Sequence, residues 1–266
     1  MCSGLEGRKK RRQVMSVLTL SGRVALVTGS AQGMGFATAK LMSQNGMKVA
    51  MVDYSQERLD KAVASLNELG GEEAYGVVCD VSDEKMVEKA VEEAAGHFGR
   101  LDVLVNCAGI LSSTKIPDIT REEWDRVLSV NLTGAFFMIQ KALPFLKESK
   151  CPRIVNVSST AGRGGGVENS MSYSASKGGL CAITRGIARQ LSPYHITVNA
   201  VCPGPTRTPI TDAYTPEQLA KLNSSNLVGR LGEPDEMAAA ICYLASEEAG
   251  YVTGAMLDVN GGFWIG

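Results

Sequence analysis

Residues 24–35 read Val-Ala-Leu-Val-Thr-Gly-Ser-Ala-Gln-Gly-Met-Gly, and residues 36–44 continue with the composition of a helix. The apolar run predicts a short strand, and the glycines predict a tight turn from it into the helix. Such a turn lets a pyrophosphate approach the backbone, where the N–H groups and dipole of a helix N-terminus stabilise its charge. The spacing alone also fits a plain strand-to-helix turn. Its place after the first strand favours a dinucleotide site, with predicted binding residues Gly29, Gln32, Gly33, Met34 and Gly35.

Similar apolar runs recur at Val49–Val52, Tyr75–Val78, Val103–Val105, Ile154–Val157, Thr197–Val201 and Met256–Val259. Strands that are apolar on both faces belong in a parallel sheet covered by helices on each side. Segments of helical period lie between them, and Glu84–Phe98 is expected to be an amphipathic helix. We therefore expect an α/β fold: a single domain with a Rossmann-type, doubly wound sheet of about seven parallel strands and helices on both faces.

The chain of 266 residues is 44% hydrophobic and 21% charged, with a formal net charge of −1. This composition is that of a globular protein with one large core, expected here over residues 19–266. A near-neutral chain has no overall field to attract nucleic acid. No apolar stretch approaches the ~18 residues of a membrane-spanning helix. We therefore expect neither a nucleic-acid nor a membrane partner.

A basic segment precedes this domain. Five basic residues against Glu6 give residues 1–15 a charge of 5 − 1 = +4, which leaves 22 − 27 = −5 for the remainder. Such a run is typical of a disordered arm, expected over residues 1–18. A polyanion-binding segment and a translation start at Met15 are the alternatives. A secretory signal is not expected, because the apolar run 14–20 is short and interrupted.

The seven cysteines are scattered, odd in number and without a C-x-x-C pair, and the only histidines are His97 and His195. No zinc-ligand spacing can be built from this set. The pattern indicates core thiols in a reducing compartment, and we expect the cytoplasm.

The second strand ends at Asp53, eighteen residues after Gly35. A carboxylate there accepts hydrogen bonds from both hydroxyls of the adenosine ribose and repels a 2′-phosphate. No basic residue stands in the glycine turn, and Tyr54 rather than an arginine follows Asp53. These features predict NAD rather than NADP, with Asp53 and Tyr54 as cofactor-binding residues. The alternative is an exposed acid that caps the helix starting near Ser55.

The third and fourth strands end in Asp80-Val81 and Asn106-Cys107-Ala108-Gly109. Asp80, after the third strand, is placed to bind the adenine amino group. The small residues Ala108 and Gly109, after the fourth strand, let the backbone lie against a dinucleotide. Turn chemistry alone is the alternative. The predicted cofactor-binding residues here are Asp80, Val81, Asn106, Ala108 and Gly109.

The candidate reactive groups are Ser159, Tyr173 and Lys177. Ser159 follows the fifth strand, and Tyr173 opens a helix expected to run to about Leu191. The i, i+4 spacing puts Tyr173 and Lys177 on one helical face, where the ammonium lowers the phenol pKa from about 10. Such a phenol exchanges a proton with an alcohol or ketone while a nicotinamide exchanges the hydride, and Ser159 holds the reacting oxygen. A surface helix pair is the alternative for Tyr-x-x-x-Lys alone.

Together these residues resemble the classical short-chain dehydrogenase/reductase family over residues 20–262. The matching positions are Thr28, Gly29, Gly33, Gly35, Asp80, Asn106, Ala108, Gly109, Asn131, Ser159, Tyr173, Lys177, Pro203, Gly204 and Thr208. Two positions depart from the family pattern. The interval from Ser159 to Tyr173 is one residue longer than usual, which keeps Ser158 as an alternative, and Cys107 replaces a common asparagine.

The resemblance implies roles for the matching residues. Tyr173 is the general acid/base, Lys177 binds the nicotinamide ribose and lowers the tyrosine pKa, and Ser159 orients the reacting oxygen. Asn131 anchors a water that relays protons from Lys177; a plain polar helix residue is the alternative. The turn after the sixth strand contacts the nicotinamide side, and its implied cofactor-binding residues are Pro203, Gly204, Thr206 and Thr208.

The expected activity is reversible NAD-dependent oxidation of a secondary alcohol to a ketone, on a small hydroxy or keto substrate covered by residues 205–231. Residues 168–171 are expected to form the opposite wall. One alternative is NADPH-dependent reduction of a 3-oxoacyl-acyl carrier protein, with Arg121, Arg126 or Arg163 touching the carrier. Another is a nucleotide sensor without turnover, against which the intact catalytic set counts. The absence of Gly-x-Ser-x-Gly excludes a serine hydrolase.

The resemblance also implies a homo-oligomer, with a tetramer favoured. Its two-fold interfaces are expected on the helices around Asn131 and Tyr173 and on the last helix and strand. The apolar segment 263–265 is expected to be buried against a neighbouring subunit, and a frayed end is the alternative.

Overall fold

The computed structural model describes residues 18–166, 170–209, 211 and 215–266. The strands in these ranges are β1 (Val24–Thr28), β2 (Lys48–Asp53), β3 (Ala74–Val78), β4 (Val103–Asn106), β5 (Arg153–Val157), β6 (Thr197–Pro203) and β7 (Met256–Val259). They pair in parallel in the order β3-β2-β1-β4-β5-β6-β7. Each predicted apolar run coincides with a strand, so the predicted doubly wound parallel sheet is confirmed. The predicted basic arm lies outside the described residues up to residue 17.

The helices in the same ranges are α1 (Gly33–Gln44), α2 (Gln56–Glu68), α3 (Glu84–Phe98), α4 (Arg121–Leu128), α5 (Gly134–Lys147), α6 (Ala161–Gly164), α7 (Met171–Leu191), α8 (Pro216–Ser225) and α9 (Pro234–Ala245). A π-helical turn, Ser129–Thr133, joins α4 to α5 without a break. Short 3₁₀ turns cover Ile116–Asp118 and Ser192–Tyr194.

Two apolar clusters sandwich the sheet. One face packs α3, α5 and α7 on the strands through residues such as Val91, Met138 and Leu191. The other packs α1, α2 and α9 through residues such as Met42 and Ile241. Because each strand is buried on both faces, the strands read as continuous apolar runs rather than alternating ones.

The strand order reverses between β1 and β4. In an open parallel sheet, a crevice forms at such a switch point, outside the carboxyl ends of the strands. The fold therefore brings together the glycine turn after β1 and the segment after β4, with the ends of β2, β5 and β6 beside them.

Candidate active site

The glycine turn leaves backbone groups open toward the crevice. Gly29 and Gly33 have φ of +63° and +57°, a region that favours glycine. A Cβ at Gly35 would overlap the carbonyl oxygen of Gly29. Gln32, at the N-cap of α1, gives its first turn no side-chain hydrogen bond. This turn therefore fits a pyrophosphate, which needs close backbone approach and open N–H groups.

The segment after β4 lies directly against this turn. The Thr28 hydroxyl accepts the N–H groups of Cys107 and Ala108, both at 3.1 Å. A Cβ at Gly29 would lie 2.7 Å from the Cα of Ala108. Beneath them, the buried Asn106 amide donates to Asn156 Oδ1 at 2.9 Å. The two loops thus meet main chain to main chain.

Asp53 is buried at the end of β2, with 6% of the residue exposed. Its carboxylate accepts the Ala31 N–H at 3.3 Å and the Ser55 N–H at 3.2 Å. The hydroxyl of Ser55 caps α2, accepting the Arg58 N–H at 3.5 Å. The alternative of Asp53 as an exposed helix cap is therefore wrong.

The sequence argument missed Arg58 at this position. Its guanidinium lies 3.7 Å from Asp53 Oδ1 and 4.7 Å from the ring centre of the exposed Tyr54. The sequence signal for this contact is the position of Arg58 in the first turn of α2, because side chains in the first turn of a helix point back toward the end of the preceding strand.

Asp80 is bound to its own turn and to α4. Its carboxylate accepts the Ser82 N–H at 2.9 Å and hydroxyl at 2.6 Å, and lies 3.3 Å from the Arg126 guanidinium. Burial raises the pKa of Asp80, but these hydrogen bonds and the arginine charge outweigh it and lower the pKa. Arg126 is therefore engaged with Asp80. The buried Val81 also lies at this end, where its carbonyl oxygen would be 2.6 Å from a Cβ at Gly134.

Lys177 is a buried cation at the centre of the crevice, with 4% of the residue exposed. Its Nζ donates to the Val157 carbonyl at 2.8 Å and lies 6.0 Å from the centre of the Tyr173 ring. Burial lowers the pKa of Lys177 to about 8. A Cβ at Gly109 would be 3.3 Å from both Lys177 Nζ and Asn131 Oδ1, so the structure brings these groups together.

Two adjacent serines follow β5, and their hydroxyls have different hydrogen-bond partners. The Ser158 hydroxyl donates to the Lys177 carbonyl at 2.9 Å and lies 3.1 Å from Cys181 Sγ. The Ser159 hydroxyl accepts the Ala161 N–H at 3.1 Å and keeps its own proton available for another acceptor. Because Ser158 is committed to α7, this geometry favours Ser159 as the serine that holds a substrate oxygen.

Asn131 lies in the π-helical turn and is 1% exposed. Its Oδ1 accepts the Ile110 N–H at 2.8 Å, and its Nδ2 donates to the Ile110 carbonyl at 2.9 Å and to Ser176 Oγ at 3.1 Å. Such turns are frequent at functional sites. The π-helical turn adds only a single residue to the helix, so helical periodicity in the sequence does not reveal it.

The segment after β6 closes over the glycine turn. Gly204, which follows Pro203, donates its N–H to Val259 at 3.1 Å, and the buried Thr206 donates its hydroxyl to the Gly204 carbonyl at 3.0 Å. The Thr208 methyl would lie 3.6 Å from a Cβ at Gly33. Glu168 and Asn169 of the predicted wall, and Ile210 and Tyr214 of the segment 205–231 predicted to cover the substrate, lie outside the described residues.

Arg163 does not fit the predicted contact with an acidic carrier. Its side chain is 17% exposed, lies 3.2 Å from Asp258 and stacks at 4.6 Å on the Trp264 ring. Trp264 thus packs within its own chain, whereas Ile265 is 78% exposed. In the described part of the chain, no helix is long and apolar enough to cross a membrane. No cluster of His, Cys, Asp and Glu able to hold a metal ion occurs there either.

Comparisons with known proteins agree with this geometry. A family described as enoyl-(acyl carrier protein) reductase matches residues 29–264. A 3-oxoacyl-[acyl-carrier-protein] reductase of Thermotoga maritima is 39% identical over 250 residues, 93% of this chain and 100% of the relative. The chain belongs to the short-chain dehydrogenase/reductase family. It is an oxidoreductase of that family, whose members bind NAD or NADP.

Two further members bear on the substrate and the cofactor. The BbsD subunit of a (2S)-[(R)-hydroxy(phenyl)methyl]succinyl-CoA dehydrogenase from Thauera aromatica is 36% identical over 243 residues, 91% of this chain and 97% of the relative. A solved 3-oxoacyl-[acyl-carrier protein] reductase from Brucella melitensis with bound NAD is 33% identical. Its TM-score is 0.86, over 94% of each chain.

Proposed function

We propose that the protein is a ketoreductase that reduces a 3-oxoacyl thioester with NADH. The observation that carries this proposal is the buried Lys177 ammonium, one helical turn from Tyr173 and beside Gly109 and Asn131 in the crevice. The thioester class is supported by the Thermotoga relative, named as a reductase of acyl-carrier-protein thioesters, and by the Thauera relative, named as a dehydrogenase of a CoA thioester.

The preference for NADH follows from Asp53. Its buried carboxylate accepts the Ala31 N–H of the glycine turn, so a 2′-phosphate there would meet a like charge that the Arg58 guanidinium, 3.7 Å away, offsets only in part. The carrier-protein reductase of the sequence analysis was an NADPH-dependent alternative, whereas Asp53 favours NADH. A solved 3-oxoacyl-[acyl-carrier protein] reductase from Brucella melitensis has NAD bound, which supports the combination of a thioester substrate with NADH. We assign the pyrophosphate to the glycine turn and the adenosine side to Tyr54, Asp80 and Val81.

In the proposed reaction, the hydride for the substrate carbonyl carbon would come from NADH when it is bound. Tyr173 donates its phenolic proton to the carbonyl oxygen, and Ser159 holds that oxygen by a hydrogen bond. Lys177 places positive charge beside the tyrosine, which stabilises the phenolate left after proton transfer. With its own pKa lowered to about 8, Lys177 is also suited to pass a proton on at neutral pH.

Asn131 and the segment after β6 shape the site in this proposal. The side-chain amide of Asn131 forms hydrogen bonds through its oxygen to Ile110 and through its nitrogen to Ile110 and Ser176. It therefore holds the loop after β4 in place beside Lys177, from which the proposed proton path starts. Residues 205–231 cover the substrate, with Pro203, Gly204, Thr206 and Thr208 on the cofactor side.

Oxidation of a secondary alcohol with NAD is the second candidate. Asp53 favours it equally, because this residue determines the cofactor and not the direction of the reaction.

For either reaction we propose a tetramer, since the apolar residues Leu227, Val228 and Ile265 are 76%, 60% and 78% exposed beside β7. The six described cysteines are free thiols, in keeping with a cytoplasmic location.

Acetoacetyl-CoA reduction, followed by loss of NADH or NADPH absorbance, tests the proposal. Tyr173→Phe is expected to lower kcat by about 10²–10⁴-fold, the usual contribution of a general acid, while NADH binding is retained. Tyr251→Phe, at a fully exposed tyrosine, is the matched control and keeps wild-type rates.

The remaining outcomes separate the alternatives. Turnover only of secondary alcohols with NAD supports the second candidate. Turnover mainly with NADPH contradicts the Asp53 argument. NADH binding without turnover of any ketone or alcohol contradicts both candidates and indicates a nucleotide sensor.

A further inference from the structure

Three hydroxyl groups from two distant segments meet at one carboxylate on α4. Glu123 Oε1 accepts hydrogen bonds from Ser112 at 2.6 Å, Ser170 at 3.1 Å and Ser172 at 3.4 Å. Ser112 belongs to the segment after β4, whereas Ser170 and Ser172 precede Tyr173 at the start of α7. One side chain therefore ties the segment after β4 to the helix that carries Tyr173.

The hydroxyl groups on the α7 side are buried. Ser170 and Ser172 are 1% and 0% exposed, and the Ser170 N–H donates to the Ser112 carbonyl at 2.8 Å. Hydrogen bonds to an ionised acceptor are stronger than neutral ones, and buried hydroxyls that lose their acceptor are costly. Hydrogen bonds lower the pKa of Glu123, above all the one from the Ser112 hydroxyl. The carboxylate therefore stays ionised at neutral pH.

The same segment is held at a second point on the same continuous helix. Asn131 brackets Ile110 with two hydrogen bonds, and Glu123 holds Ser112 two residues further along the segment. Immediately before these two anchors, the segment passes Lys177 Nζ at Gly109. The helix thus fixes the main chain on one side of the crevice, opposite the glycine turn.

We propose that Glu123 is a positioning residue, which fixes the segment after β4 and the first turn of α7 as the wall beside the substrate carbonyl. This role rests on the proposed ketoreductase function. Glu123 acts through Ser112, Ser170 and Ser172, and the hydrogen bonds of its carboxylate within the described ranges reach neither the glycine turn nor Asp53. Its loss is therefore expected to affect the ketone and not the dinucleotide.

Steady-state kinetics of Glu123→Ala with acetoacetyl-CoA and NADH provide the first test. The KM for the thioester is expected to rise about tenfold or more, the effect of losing one hydrogen bond to a charged group. The KM for NADH is expected to stay within about twofold, and kcat to fall less than the thioester KM rises. Glu123→Gln, which keeps one acceptor oxygen, is expected to restore part of the loss. Glu122→Ala, at the exposed neighbouring residue on α4, serves as the control and keeps wild-type values.

Hydrogen exchange provides a readout that does not depend on turnover. Backbone amides of residues 109–116 and 170–176 are expected to exchange faster in Glu123→Ala than in Glu122→Ala, whereas residues 29–36 stay unchanged. Unchanged exchange together with an unchanged thioester KM overturns the proposal. An equal rise of both KM values, or a lower Tm without any split between them, also overturns it, because either indicates a merely structural role.

The failure of the proposed function gives a different result. A wild-type protein that binds NADH but reduces no thioester refutes the ketoreductase function itself. The exchange data then decide by themselves whether Glu123 holds the two segments together.

Discussion

Gly29→Ala tests the contact between the glycine turn and the segment after β4. Gly29 has φ +63°, and an added Cβ would lie 2.7 Å from Ala108 Cα and 2.9 Å from its nitrogen. A left-handed backbone costs an L-residue about 1–2 kcal/mol, and a methyl group forced into packed structure costs about 1–3 kcal/mol more. The two together, about 2–5 kcal/mol, correspond to a Tm decrease of roughly 4–20 °C for a domain of this size.

Two other glycines separate the two costs. Gly22 has φ +77° with nothing within 4 Å of an added Cβ, so Gly22→Ala carries only the backbone cost of about 1–2 kcal/mol. Gly96 is exposed in α3 with open space around it. Gly96→Ala is therefore expected to stabilise the protein by about 0.5–1 kcal/mol, the difference in helix propensity.

Thermal unfolding at one protein concentration ranks the three variants, since self-association makes Tm depend on concentration. Fluorescence titration with NADH gives the second readout. Gly29→Ala is expected to lose NADH affinity, because Ala108 and the turn are displaced together, while the other two variants keep it. If Gly29→Ala matched Gly22→Ala in both Tm and NADH affinity, the argument from close backbone contact would be refuted.

Three further predictions concern single side chains of the crevice. Asp53→Asn is expected to shift the ratio of NADPH to NADH affinity by about tenfold toward NADPH, equivalent to roughly 1.4 kcal/mol of charge repulsion removed, and an unchanged ratio contradicts the Asp53 argument. Lys177→Met is expected to abolish turnover yet raise Tm at pH 7, because burial lowers the lysine pKa from 10.5 to about 8 and the folded protein carries a buried charge below that pH. The unfolded chain keeps the Lys177 proton up to about pH 10.5, so the stability of the wild-type protein rises between pH 8 and 10.5. The Tm advantage of the variant must therefore shrink over that range, and a constant advantage argues against a lowered pKa of Lys177. Thr28→Val removes the acceptor of two partly buried N–H groups and is expected to lower the free energy of unfolding by about 2 kcal/mol, measured by urea denaturation. A neutral variant contradicts this.

Elements with strong local signals were predicted from the sequence. The predicted helix Glu84–Phe98 coincides with α3, because Asp83 accepts two backbone N–H groups at its N-terminus and Gly99 ends it at φ +72°. For α1, the prediction began at Phe36, three residues late. Gly33 and Gly35 are poor helix formers in general, but here the helix N-terminus needs their close backbone contacts.

Contacts between distant segments were beyond the sequence argument. The predicted Tyr173–Lys177 neighbourhood depends only on helical spacing, and the structure places the two side chains together. The convergence of Ser112 and Ser170 on Glu123 depends on how the loop after β4 meets α7, which no periodicity encodes. Arg163 was a candidate contact for an acidic carrier, but its partners lie in the last strand and the segment that follows it.

The meeting of Gly29 and Ala108 also bears on how enzymes of this type change substrate. Here the floor of the crevice is main chain on both sides, and a larger side chain at Gly29 would collide with Ala108 instead of touching a ligand. Substitutions at the floor, where Gly29 meets Ala108, therefore have little room to change substrate preference. Evolution must change the walls instead, which are the parts of the segments after β4 and after β6 that lie beside the substrate. Mutant libraries aimed at new ketones should leave the floor untouched and diversify these two walls, where changes alter the shape of the cavity without dismantling the cofactor cradle.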